Sequence, residues 1–416
     1  MKILQINTGV NLGSVGRRAE DMGSKLIENG HESYIAISSR TNRPSKSNLI
    51  VIGNKLDVML HGIKSKLFDR HGFGSKVSTL KFIEQVKKIN PDVIHLRNLH
   101  GYYLNIEVLF NYLKEADIPV VWTFHDCWPI TGHCSFFDKV NCYKWKTECN
   151  NCPNLSGYPS SMGFDNSKQN YYDKKKLFNS VKTMHLIGPC KWMVDFIKES
   201  YLSSYNSEVI YNGINTEVFS PNLKNGAELK IKLGIESFRI ILGSANIWDW
   251  RKGLQDFVEL NNLIDKSNTK IILIGLTEDQ IKALPKDMMG IERTDSIEQL
   301  ASFYNIADVF VNPTYVDNFP TTNLEALSSG TPIVTYKTGG SPEAIDADTG
   351  FSVEKGDIQE LYNKVNEILA NGKNQYIDKC RNRGLTKFNR DITVENYYNL
   401  YKKLINEKNG QLRQIN

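Results

Sequence analysis

Two carboxylates eight residues apart, Asp317 and Glu325, bracket the run Asp317-Asn-Phe-Pro-Thr-Thr-Asn-Leu-Glu325. A helix is expected from Thr321, leaving Asp317 in a loop and carrying Glu325 about one turn inside. The N–H groups of Thr321, Thr322 and Asn323 would then project from the helix end, an anion site suited to a diphosphate. A carboxylate one turn further in can accept two hydrogen bonds from vicinal hydroxyls such as those of a ribose. Upstream stand two cations, Arg251 and Lys252, in Trp250-Arg-Lys-Gly253. Fixed cations stabilise the charge that grows on a departing phosphate, Arg as a bidentate fork and Lys as a point charge. The plainer alternatives are a capped helix with a solvated Glu325 and two surface charges on a turn.

The first half of the chain offers a different set. Gly13 and Ser14 lie in Asn11-Leu-Gly-Ser-Val-Gly-Arg-Arg18, between an expected strand and helix, where backbone can approach an anion closely. The spacing Gly13-x-x-Gly16 does not fit the nicotinamide fingerprint G-x-G-x-x-G. His125 and Asp126 end the strand Pro119–Phe124, and His95 and His100 flank another strand end as candidate acceptor contacts. Five cysteines crowd one segment, and Cys134, Cys142, Cys149 and Cys152 could complete a four-thiolate structural zinc site, with His133 as a substitute ligand. Reduced or redox-paired thiols in an aromatic loop are the alternative.

The elements that must hold these groups alternate. Strands are expected at Lys2–Asn7, Ser33–Ser38, Asp92–His95, Pro119–Phe124, His185–Ile187 and Glu208–Ile210, with a helix from about Ser14 to Asn29. A second series follows a polar link near Asn212–Asn225. Its strands are Arg239–Gly243, Lys270–Ile274, Asp308–Val311 and Pro332–Thr335, with helices such as Leu254–Ile264 and Thr321–Ser328. Such alternation implies βαβ units and parallel sheets, here two doubly wound halves whose strand ends face a shared cleft. Helices complete the chain, the last expected at Val394–Asn406. Residues 126–158 break the pattern as a long aromatic, Cys-rich insertion.

The run from Asp317 to Glu325 resembles the E-x7-E signature of family 4 glycosyltransferases, with Asp317 in place of the first Glu. Tyr211-Asn-Gly-Ile-Asn-Thr-Glu-Val-Phe219 resembles that family's interdomain segment, Trp250-Arg-Lys-Gly253 its phosphate-binding turn, and Gly339-Gly-Ser-Pro-Glu343 its donor-side loop. The resemblance spans nearly the whole chain, and the motifs stand in the family's order. It implies a GT-B fold of two Rossmann-like α/β domains. Residues 1–210 would form the acceptor domain, with a helix near 394–416 returning to it, and residues 211–393 the donor domain. It places His125 beside the reacting sugar as a neutral hydrogen-bonding imidazole, and adds Asn212, Gly339 and Glu343 to the donor site.

The activity implied is retaining transfer of a hexosyl group from a nucleotide-diphosphate sugar to a saccharide acceptor. The Cys-rich segment is similar to that of members used in bacterial surface polysaccharide synthesis, whose acceptors are lipid-linked. No cofactor is expected for the chemistry, and any zinc would be structural. Asp346-Ala-Asp348 matches the D-x-D motif of a different, metal-dependent fold and reads as a solvated turn. The rivals are a nucleotide-sugar 2-epimerase of the same architecture and a non-catalytic partner subunit.

Composition sets outer limits. With 40% apolar and 23% charged residues the chain is globular rather than disordered. Residues 1–210 carry 27 Lys and Arg against 19 Asp and Glu, a balance of +8, whereas the remainder is at −3. The basic half suits a phosphate-bearing partner or an anionic membrane, or is simply a lysine-rich solvated surface, rather than nucleic acid, since no basic stripe interleaves with aromatics. No run approaches the roughly 20 apolar residues that cross a bilayer. The N-terminus reads as a strand, not a leader peptide, so a cytoplasmic or peripheral protein is expected. Leu56, Met59, Leu60, Ile63, Leu67 and Phe68 recur at helical spacing among Lys55, Lys64, Lys66 and Arg70. That stripe either meets a membrane surface or packs on the core.

Overall fold

The computed structural model describes residues 1–40 and 43–415, without the side chains of residues 223 and 411–415. Asn416, the end of the expected C-terminal helix, lies outside it. The chain divides into two units, Met1–Ile210 with Val394–Asn416, and Tyr211–Thr393.

The first unit is built on seven parallel strands, β1 (Lys2–Ile6), β2 (Glu32–Ser38), β3 (Asn48–Ile52), β4 (Val93–Leu96), β5 (Val120–Thr123), β6 (Met184–Gly188) and β7 (Asn206–Val209). Their order is β3-β2-β1-β4-β5-β6-β7, so the winding reverses between β1 and β4. Strands β4, β5 and β6 are buried along their whole length, as parallel strands covered on both faces must be. The helix Gly13–Glu28 buries Gly16, Ala19, Met22, Gly23 and Leu26, a stripe at three- and four-residue spacing. The long helix Arg390–Ile415 completes this core. Its Val394, Tyr397, Leu400, Tyr401 and Leu404 pack with Ile3, Leu26, Val93, Val121 and Ile187.

The second unit has six parallel strands: β8 (Arg239–Ser244), β9 (Thr269–Ile274), β10 (Met289–Ile291), β11 (Val309–Asn312), β12 (Ile333–Tyr336) and β13 (Gly350–Val353). Their order is β10-β9-β8-β11-β12-β13, with the reversal between β8 and β11. Both sheets are thus doubly wound and Rossmann-like, the α/β fold of GT-B enzymes. Strands β3, β10 and β13 were not anticipated; each is short and lies at or beside a sheet edge.

The helix Lys55–Phe68 is turned inside out. Its buried residues are Val58, His61 and Ser65, while Leu56, Met59, Leu60, Ile63, Leu67 and Phe68 are all exposed. His61 explains the inversion. Its Nε2 accepts from the Gly72 and Gly74 N–H groups at 3.3 and 3.2 Å, and Nδ1 meets Ser75 Oγ at 3.0 Å. A side chain added at Gly74 would put Cβ 2.3 Å from the His61 ring, so that turn is shaped around the imidazole. The apolar stripe therefore does not pack on the core.

Candidate functional site

Sheets of this kind bind ligands at the strand ends where the winding reverses. In the second unit that point joins the loops after β8 and β11. Asp249 caps the short turn Trp250–Lys252 by accepting from the Arg251 N–H at 3.0 Å. The turn closes on Gly253, whose φ of +68° favours glycine and whose added Cβ would lie 2.3 Å from the Pro313 carbonyl. Tyr315 N–H and Thr314 Oγ1 donate to the Arg251 carbonyl at 2.7 and 3.0 Å, locking the two loops together. Lys252 then reaches across, and its Nζ meets Asp317 Oδ2 at 2.5 Å.

Arg251 is placed differently from the expected paired cation. Its Nε and Nη2 donate to Asp249 Oδ2 at 2.9 and 2.7 Å, so Arg251 and Lys252 are held by separate carboxylates. The reason is local: an aspartate two residues earlier in a tight turn competes for the fork.

The helix Thr321–Ser328 follows β11 and opens after Pro320. Thr321 and Thr322 are half-buried at its start. The Asn323 N–H is not presented outward as expected, because it bonds the Pro320 carbonyl at 3.2 Å in a tight first turn. The Asn323 side chain faces inward instead and accepts from Asn312 Nδ2 at 2.7 Å. Glu325 is buried, and Tyr304 donates its hydroxyl to Oε2 at 2.9 Å. Burial, then the Glu325 charge, push the Tyr304 phenol well above its ordinary pKa, so it stays a donor.

The loop after β12 presses against Asp317. Gly339 has a φ of +53°, and a Cβ there would sit 1.9 Å from the Asp317 carbonyl. The Gly340 N–H donates to the Asn318 carbonyl at 2.7 Å. Glu343 accepts from the Tyr211 hydroxyl at 3.2 Å, next to the buried Asn212. The Asp346–Asp348 turn is exposed and tied to Arg383 and Lys379.

In the first unit the reversal joins the loops after β1 and β4. Asn7 Oδ1 accepts from the Asn98 N–H at 3.3 Å, and Thr8 Oγ1 donates to the His100 carbonyl at 3.3 Å. Gly13, at φ +61°, and the half-buried Ser14 open the helix beside this junction. His125 follows β5 and is half-buried. Burial, then Arg18 and Arg97, hold its imidazole well below its ordinary pKa, which keeps it neutral.

His95 does not belong to an acceptor surface. It is fully buried within β4, where its ring nitrogens meet Tyr401 at 2.6 Å and Thr123 at 2.8 Å, binding the C-terminal helix to the sheet. His100 does lie at the edge, with Nε2 2.5 Å from Asp126 Oδ2 and Nδ1 3.2 Å from the Tyr158 hydroxyl. Asp126 also accepts from the Trp128 N–H at 2.9 Å, so it orients His100 rather than facing a ligand alone.

Cys134, Cys142, Cys149 and Cys152 all line one small pocket with Phe137 and Trp145. They do not form the expected four-thiolate centre. Among the described residues no group of three or more His, Cys, Asp or Glu side chains converges to hold a metal ion. The thiols have other partners: Cys134 and Cys152 hydrogen-bond each other, and Cys149 Sγ accepts from the Gly132 N–H at 3.2 Å. His133 is turned away to Asp69, 2.5 Å from Nδ1. None of the seven cysteines is in a disulfide.

Tyr304, Asp249, Arg18 and Arg97 escaped the sequence reading. Arg18 stood inside the quoted run Asn11–Arg18, and nothing in its spacing marked where it points.

Comparison with known proteins assigns both halves. Residues 15–218 match the model of the family described as Glycosyltransferase Family 4, and residues 239–371 that of Glycosyl transferases group 1. The glycosyl transferase WcaC of Escherichia coli K12, whose name assigns it provisionally to colanic acid biosynthesis, is 25% identical over 97% of this chain and 100% of its own. An Escherichia coli galactosyltransferase acting from UDP-Gal on a GlcNAc-diphosphoundecaprenol is 25% identical over 51% of this chain and 58% of its own. Among solved structures, sucrose-phosphate synthase of Thermosynechococcus elongatus superposes with a TM-score of 0.73 at 17% identity, covering 98% of this chain and 100% of that one. Anabaena HepE, solved with UDP-glucose, gives 0.67 at 15% identity, covering 97% and 100%.

Proposed function

Because this chain belongs to glycosyltransferase family 4 and is a transferase, we propose that it moves a hexosyl group, with retention, from a nucleoside-diphosphate sugar to a lipid-linked saccharide during surface polysaccharide synthesis. The observation that carries this reading is the second unit's switch point. There a buried Glu325, fixed by Tyr304, lies about one turn into a helix whose preceding loop is bridged by Lys252 and Asp317. Glu325 would take the ribose hydroxyls, and the Thr321–Thr322 end of the helix with Lys252 would take the diphosphate. Asn212, Gly339 and Glu343 shape the remaining donor contacts.

In the transfer, the bond between the anomeric carbon and the diphosphate oxygen breaks while the acceptor hydroxyl oxygen bonds to that carbon. The acceptor proton passes to the departing phosphate oxygen on the same face. Lys252, exchanged from Asp317, stabilises the charge left on the diphosphate, and Arg251 can join it only by leaving Asp249. Neutral His125 orients a sugar hydroxyl in the first unit, beside Gly13 and Ser14, and His100 with Asp126 contributes an acceptor contact.

The lipid-linked acceptor is supported by the name of the Escherichia coli galactosyltransferase and by the inverted helix. Leu56, Met59, Leu60, Ile63, Leu67 and Phe68, rimmed by Lys55, Lys64 and Lys66, form a surface suited to an anionic bilayer, and Met162 and Phe164 are exposed as well. No helix among the described residues is long and apolar enough to cross a membrane. Peripheral contact at the cytoplasmic face is the arrangement this supports.

The test is a thermal-shift panel with UDP, GDP, ADP, CMP and their sugar conjugates, followed by proton NMR of the product's anomeric coupling. Selective stabilisation by one nucleoside diphosphate, lost in Lys252→Ala, is expected, with the donor's configuration retained. A response unchanged by Lys252→Ala, or an inverted product, defeats the assignment. Donor consumed without any acceptor would mark the epimerase instead.

A further inference from the structure

Arg18 and Arg97 stand at the first unit's switch point, and no carboxylate hydrogen-bonds either of them among the described residues. Arg18, on the helix Gly13–Glu28, keeps Nε and Nη1 out of solvent with no hydrogen-bond partner among the described residues. Arg97 directly follows β4 and is 3% exposed. Its Nε donates to Gln5 Oε1 at 3.0 Å, and its guanidinium carbon lies 5.8 Å from the Tyr397 ring centre. Neither contact is with a carboxylate.

Burial lowers the pKa of both guanidinium groups, and Arg97 adds to the effect on Arg18, which comes down to about 10. Asp21 offsets this only weakly on each. A cation withdrawn from water and set beside another cation is unfavourable unless something negative joins them. The surroundings are those of a binding crevice. The loops after β1 and β4 meet here through Asn7, Asn98 and Thr8, and the half-buried His125 is close enough for both arginines to depress its basicity.

We propose that Arg18 and Arg97 form an oxyanion subsite that takes a phosphate or carboxylate group carried by a ligand of the first unit. The guanidinium fork suits either group, since both present two oxygens in a plane. Two sources share that chemistry: the diphosphate of a sugar donor, and an acid group on the saccharide acceptor, either a uronic carboxylate or a phosphate. The choice of source rests on the glycosyl-transfer reading above. The subsite itself does not, and it is tested by binding alone.

The experiment uses the full chain, with calorimetry and thermal shift against glucuronate, inorganic phosphate and UDP, and glucose as the neutral match for glucuronate. Wild type is expected to bind glucuronate and phosphate but not glucose. Arg18→Gln should weaken both anions by about tenfold or more, and Arg97→Lys, which keeps the charge but loses the fork, by a smaller factor. Lys252→Ala separates the second unit's phosphate site and should leave glucuronate binding intact. If Arg18→Gln fails to fold, Arg18→Lys carries the same comparison. UDP affinity unchanged in Arg18→Gln assigns the subsite to the acceptor, and a parallel loss assigns it to the donor diphosphate. Equal anion affinities in wild type and both arginine variants overturn the subsite. Wild type that binds glucuronate yet no nucleoside diphosphate overturns the donor assignment and leaves the subsite standing.

Discussion

The two switch points handle positive charge in opposite ways. In the second unit each cation has its own acid: Arg251 lies on Asp249 and Lys252 on Asp317, both pairs partly exposed. In the first, Arg97 is buried and Arg18 half-buried, and no hydrogen bond joins them to an acid among the described residues. The loops differ as well. After β12 the chain returns to a strand by Gly350, whereas after β5 residues 124–166 wander through short turns before the next helix. On the proposed donor assignment, a self-neutralised site would trade its internal partner for a ligand's phosphate at little cost, as a donor that must come and go requires. If the first unit takes an anion as proposed, cations held without a hydrogen-bonded acid would gain more from it, and the site would be selective for that reason.

The contrast can be broken most sharply at Lys252. Lys252→Ala should lower kcat/KM by on the order of 10²–10³, the usual loss for one group facing transition-state charge, as followed by nucleotide release. Asp317→Asn should cost far less if Asp317 serves mainly to park that lysine, and an equal loss would mean that it touches substrate. Membrane engagement ranks next. Leu60→Glu with Ile63→Glu should reduce co-sedimentation with vesicles containing anionic lipid by at least about tenfold, given the apolar area lost. Glu325→Gln should raise the donor KM by about tenfold, the value of a charge-assisted hydrogen bond, with a smaller change in kcat, and Tyr304→Phe should partly reproduce it.

The smallest effect concerns the long loop of the first unit. Burial is the largest single influence on His133 and opposes its charge, but the bond to Asp69 and the negative charge nearby together outweigh it and raise its pKa above the ordinary value of 6.5. A group with a raised folded pKa contributes stability below 6.5 and loses it as pH rises through the folded value. Urea unfolding should therefore show a loss of about 1 kcal/mol between pH 6 and pH 8.5 that is absent in Asp69→Asn. An equal slope in both proteins would show that the pair does not titrate.

The doubly wound halves were legible because buried parallel strands read as apolar runs, as in Val93–Leu96 and Val120–Thr123. What escaped were edge elements such as Met289–Ile291, too short for any periodicity, and Asn48–Ile52, whose alternate residues face solvent. The placement of Lys252, Asp317 and Glu325 was legible for a similar reason: they lie in loops and a helix start that spacing alone orders. Their partners were not. Tyr304 lies on a helix whose pattern reads as ordinary core, and nothing in sequence announces that its hydroxyl reaches Glu325. His95 misled in the opposite sense, since a histidine at a strand end looks like a ligand contact until Tyr401 arrives from 306 residues away.

That arrival bears on how the chain is made. The first unit's core lacks Tyr397, Leu400, Tyr401 and Leu404 until the whole of Tyr211–Thr393 has been synthesised. His95 and Thr123, buried polar groups in the middle of a sheet, wait for those tyrosines to satisfy them. On the ribosome the usual order is thereby reversed, and the second unit can be complete while the first is still open. A chaperone that recognises exposed apolar sheet would find its substrate in the amino-terminal half, and release would coincide with the emergence of the last helix.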